Sequence, residues 1–124
     1  MSGDKEGEIQ WLSLTYEDVN SAVEKGDEKA KTKLAWLMLL GLGDAAVNED
    51  GAVELLEERV KDKDSEAMWI LGVCYEFGLG IEQDIERAEN LYVQSRKKGN
   101  TIGKFCASHK RFERDSGNMV RYRL

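Results

Sequence analysis

With 124 residues and a net charge of −6, the chain has room for one ordinary domain and hardly two. Proline is absent, where ordinary usage would place roughly six, which excludes proline-rich linkers and favours long uninterrupted helices. No stretch approaches the roughly 18 apolar residues of a membrane span, and Cys74, Cys106 and the lone His109 are too few for a disulfide framework or a Cys/His zinc site, so neither metal nor cofactor is expected.

Residues 1–14 read as an N-terminal segment without the basic-then-apolar start of a secretory signal, and a cytoplasmic location is expected. Thr15-Tyr16-Glu17-Asp18 has the form of a capping box, with Leu14 and Val19 placed as a hydrophobic staple, and predicts a helix over 16–25 that ends at Gly26. A second helix is expected over 28–40, a turn at Gly41-Leu42-Gly43, and a third helix over 49–61 capped by Asn48. The fourth, over 65–77, has Asp64 or Ser65 as its cap, Ala67, Leu71 and Cys74 on one face, and Gly78 as its stop. Asp84 caps the fifth, whose inner face carries Ala88, Leu91, Tyr92 and Ser95 before Lys97, Lys98 and Gly99 end it. A sixth helix is expected over 101–115, and 117–124 is left as a basic tail.

These elements repeat. A shift of 37 places Asp27 on Asp64, Ala30 on Ala67, Leu34 on Leu71, Ala35 on Gly72 and Gly41-Leu42-Gly43 on Gly78-Leu79-Gly80. A shift of 36 then places Asn48 on Asp84, Ala52 on Ala88, Leu55 on Leu91 and Asp64 on Asn100. The expected domain, 15–116, therefore divides into a half-unit 15–26, a unit 27–63, a unit 64–99 and a half-unit 100–116. Ala30, Ala35, Ala52, Ala67, Gly72 and Ala88 let paired helices approach, while Leu34, Leu56, Leu71 and Tyr92 fill the space between units. One hairpin cannot bury its own apolar face, so neighbours must stack. The fold class is all-α: an α-solenoid of antiparallel helix hairpins, with about six helices. Leu37-Met38-Leu39-Leu40 leaves little polar face, so the second helix should be deeply covered.

Ala67-x₃-Leu71-Gly72-x₂-Tyr75-x₂-Gly78-x-Gly80-x₃-Asp84-x₃-Ala88-x₃-Tyr92-x₆-Gly99 resembles the Sel1-like repeat, a relative of the tetratricopeptide repeat. Ala35 and Met38 replace the family's Gly and Tyr in the first unit, and Ser95-Arg96 replaces its paired alanines. The resemblance implies a right-handed solenoid that assembles other proteins. It also implies that first helices line a concave wall. The lining positions are then Thr32, Trp36 and Leu39; Trp69, Val73 and Glu76; and Phe105, His109 and Phe112. The members with one disulfide per repeat are not matched, because the cysteine pairs are lacking.

Trp36, Trp69, Val73, Phe105, His109 and Phe112 are therefore the candidate peptide-binding residues, with Lys110, Arg111 and Arg114 as candidates for recognising an acidic group. Against this stands the ordinary role of aromatic residues at helical spacing, which is core packing. No paired acid–base or metal constellation is present in the sequence, so an enzyme is not expected. The expected partner is another protein or peptide, with self-association through the end repeats as a variant. Residues 1–95 hold 9 Lys/Arg against 22 Asp/Glu, and 96–124 hold 9 against 2. That acidic body argues against nucleic acid as the main partner. The alternatives are a basic C-terminal arm for an acidic partner, and a regulatory module acting with an enzyme domain.

Overall fold

In the computed structural model, which describes residues 15–108 and the backbone of 112–115 and 119–122, six helices succeed one another and two short strands follow. Helix α1 (Tyr16–Glu24) opens on the expected capping box: the Thr15 hydroxyl accepts from the Asp18 amide at 3.2 Å, and the Asp18 carboxylate accepts from the Thr15 amide at 3.4 Å. Val19 is buried, whereas its staple partner Leu14 lies outside the described residues. Helices α2 (Ala30–Leu40) and α3 (Glu49–Lys61) form the first hairpin, α4 (Ser65–Phe77) and α5 (Ile85–Lys97) the second. Asn48, Asp64 and Asp84 each accept amide hydrogens at the starts of α3, α4 and α5, as their residue types foretold. Gly41 and Gly78 end α2 and α4 at φ +68° and +69°, a left-handed conformation that is strained for a residue with a Cβ.

The stack is held by the residues that recur. Ala35, Ala52, Ala67 and Ala88 are fully buried, and Leu56 and Tyr92 fill the matching space in successive hairpins. The two hairpins solve one packing problem with different volumes. Tyr92 is so large that a Cβ at Gly72 would come within 2.6 Å of its ring, whereas the smaller Leu56 leaves room for Ala35. The same trade joins the second hairpin to α6 (Thr101–Ser108). Ser95 is fully buried and its hydroxyl donates to the Ser65 carbonyl at 2.8 Å, while Gly103 has no side chain to collide with it. The departure from paired alanines at Ser95 is thus matched on the facing helix.

Two expectations need correction. Leu37 and Leu39 are buried, but Leu40 at the end of α2 remains 46% exposed. The sixth helix ends at Ser108, not near 115: Phe112–Asp115 (β1) pairs antiparallel with Met119–Tyr122 (β2), with Phe112 opposite Tyr122 and Arg114 opposite Val120. Lys110, Arg111, Glu113, Arg114 and Asp115 interrupt any apolar stripe of helical period, so a helix there would have little to pack.

Candidate protein-binding site

The caps of successive units tie their first helices together. Asp64 accepts from the Glu66 and Ala67 amides through Oδ1, at 2.9 and 3.4 Å. Its Oδ2 accepts from the Thr32 hydroxyl of α2 at 2.7 Å and from Arg59 Nε and Nη2 of α3 at 3.4 and 3.3 Å. One unit later Asn100 accepts from the Gly103 amide at 2.9 Å and donates to Ser65 Oγ at 3.2 Å and Glu66 Oε1 at 3.5 Å. A helix cap that satisfies free amides therefore also sets the distance between neighbouring units.

Beside this seam Trp36 of α2 and Trp69 of α4 meet edge to face, with centroids 5.5 Å apart and planes at 63°. They occupy different rows of the repeat. Trp69 answers Thr32, and Trp36 lies one turn further along, so the offset between stacked units brings the indoles together. Both are half-buried, and the Trp69 indole N–H donates to Glu66 Oε1 at 2.7 Å. They line a cleft of about 400 Å³ with Lys29 and Lys33 on its α2 side and Ile102 of α6 at its far end.

Of the candidate peptide-binding residues, the structure brings Trp36 and Trp69 together. Val73 is half-buried against the main core, and Phe105 is 53% exposed on α6; neither borders this cleft. Phe112 and Arg114 stand on β1, away from the helical row on which the repeat frame placed Phe112, and His109, Lys110 and Arg111 lie outside the described residues. Of the remaining lining positions, Thr32 is buried yet borders the cleft and donates its hydroxyl to Asp64, whereas Leu39 joins the core and Glu76 is fully buried, accepting a short hydrogen bond from the Tyr92 hydroxyl. Glu76 is drawn in because α5 covers that turn of α4. Lys29, Lys33 and Ile102 were missed because a frame of Trp-bearing rows ignores the turn preceding each row.

The electrostatics are local. Lys31 is held above its usual value first by its hydrogen bond to Glu58 and then by Glu28, so it remains charged between α2 and α3. Cys74 is fully buried, and burial pushes its thiol up to about 12, with the Glu49 charge adding in the same direction. A thiol in that state is no nucleophile near neutral pH. No group of His, Cys, Asp or Glu suited to a metal ion occurs among the described residues, and no described helix is long and apolar enough to cross a membrane. A second cleft of about 360 Å³ lies on the α3–α5 side, where Arg87 Nη1 donates to the Tyr75 hydroxyl at 3.2 Å.

The Sel1 repeat profile matches residues 28–58 and 65–100, more than half of the chain and the same two hairpins. The chain belongs to the Sel1 repeat family. Sel1 repeats are generally protein-interaction modules, typically non-catalytic scaffolds. Among solved structures, the chain is similar to a Sel1 repeat protein from Oxalobacter formigenes, with a TM-score of 0.68 and 26% identity over 77% of this chain and 38% of that one. It is also similar to c5321, a protective antigen present in uropathogenic Escherichia coli strains, with a TM-score of 0.62 and 26% identity over 74% of this chain and 20% of that one. The chain thus spans well under half the length of either solved Sel1 neighbour. No curated protein sequence matches it.

Proposed function

We propose that this Sel1 repeat chain is a non-catalytic adaptor that holds a segment of another protein against the face formed by α2, α4 and α6. The observation that carries this reading is the half-buried Trp36–Trp69 pair, seated across two units at a cleft about 400 Å³ in volume. Both residues pack against the main core and at the same time line the cleft, beside exposed Ile102. Large, rigid rings at a concave site are what an interface anchor requires. Phe105, one unit along, extends the apolar character of the face towards α6.

Affinity capture with the intact protein, run beside Trp69→Ala, identifies partners that need the indole. Calorimetric titration of a captured partner should then show Trp69→Ala weakening binding by about 2 kcal/mol or more, the scale of an interface hot spot. The variant must keep its helical circular dichroism. Unchanged affinity in a folded variant overturns the reading.

A further inference from the structure

We infer that residues 9–14, just ahead of α1, fold back as a strap over the turn between α2 and α3, with Trp11 and Leu12 covering Leu40, Leu42 and Val47. Those three side chains are 46%, 43% and 62% exposed, and they form one patch because Val47 leans over Gly41 between the two leucines. Apolar side chains exposed singly are ordinary, whereas three together on one turn call for a cover. The same turn one unit later has its cover. Leu79 and Ile81 are half-buried against the main core, and a Cβ at Gly80 would come within 2.6 Å of the Glu49 backbone at the start of α3. Both turns thus rest on the start of the preceding second helix, which for the first turn is α1: the Tyr16 amide donates to the Gly43 carbonyl at 2.6 Å. Yet α1 has 9 residues where α3 and α5 have 13, and a shift of 37 places Glu49 on Leu12. The repeat frame therefore assigns the missing cover to the residues just ahead of Thr15.

Those residues suit the task. Ile9-Gln10-Trp11-Leu12-Ser13-Leu14 is apolar except for Gln10 and Ser13. The hydrophobic staple directs Leu14 to Val19, which shares a buried cluster with Leu37 and with Ala45 of the same turn. Trp11, four residues before Thr15, reaches about 14 Å at most, enough to cross the patch from its Gly43 side. So short a tether holds it at an effective concentration that is roughly millimolar, which favours this occupant over a second copy or a foreign peptide. Leu40, Leu42 and Val47 do not line the tryptophan cleft, so the strap stands or falls independently of the adaptor reading.

The test uses the full chain, with nuclear magnetic resonance and urea denaturation as readouts. Nuclear Overhauser effects should join the Trp11 indole to the methyl groups of Leu40, Leu42 and Val47, and they should persist on dilution. Trp11→Ala should lower the folding equilibrium constant about tenfold, the scale for covering much of a large apolar side chain. In a Leu42→Ser/Val47→Thr background, where both changes fall on exposed positions, the same substitution should lower it by less than about twofold. Contacts that vanish on dilution would give the patch to a second copy and overturn the strap. An indole without contacts to these methyl groups, or an equal loss from Trp11→Ala in both backgrounds, would overturn it as well.

Discussion

Lys63 adopts φ +64°, and the residues at the same place in the flanking units, Gly26 and Gly99, adopt +95° and +86°. The repeat thus requires a left-handed residue after each second helix, and only the middle copy meets the need with a side chain. A Cβ there costs about 1–2 kcal/mol, partly offset by the greater freedom glycine loses on folding. Lys63→Gly should therefore raise stability by about 1 kcal/mol, seen as a higher urea midpoint at unchanged slope. Cys74 gives a second check at this scale. Its thiol is held neutral up to about 12 when folded but ionises near 9.0 once exposed. Between those values the unfolded chain binds fewer protons, so this contribution is whole below pH 9 and is lost as pH rises towards 12. In a Cys106→Ala background, labelling of Cys74 by a thiol reagent at pH 8 should proceed only at the rate at which its site opens.

Among the elements, the N-terminal caps are unequal although their residue types are alike. Asn48 at the start of α3 accepts a single amide hydrogen, from Gly51 at 2.9 Å, and its substitution by alanine should cost about 1 kcal/mol. Asp64 at the start of α4 also receives Thr32 and the buried Arg59, so Asp64→Ala removes the cap, an inter-unit hydrogen bond and a counter-charge together. A loss of about 2–3 kcal/mol is expected, and chemical denaturation of both variants decides whether α4 is pinned by its cap alone. The sequence marked both residues as caps. It did not show that one of them also joins two hairpins, because Thr32 and Asp64 are 32 residues apart and meet only when the units stack.

For the whole molecule, stability in a short stack is carried by contacts between neighbours, so a change at one junction should loosen one end first. Gly103 lies directly against buried Ser95, and a methyl group there has no space. Gly103→Ala should release α6 while α2–α5 stay folded, giving faster amide exchange confined to residues 101–108 and a modest loss of total helix. Ser95→Gly in the same chain should restore protection, because the two positions share one volume. Collapse of all helices together in Gly103→Ala would show instead that the stack folds as one unit.

Local chemistry determined much of this protein before any contact was known. Periods of 36 and 37 residues, small residues at matched places and cap residues ahead of apolar stripes are all written within single units, so the hairpins and their order were legible. The tertiary structure decided which of the repeated positions reach the surface. Trp36 and Trp69 come from different rows and meet because stacked helices are offset, while Glu76, at a position the repeat frame assigns to the wall, disappears beneath Tyr92. Past Ser108 the repeat pattern loses its apolar stripe, and the chain there changes from helix to paired strands. Periodicity specifies a face of a helix, but only packing between helices settles whether that face is covered.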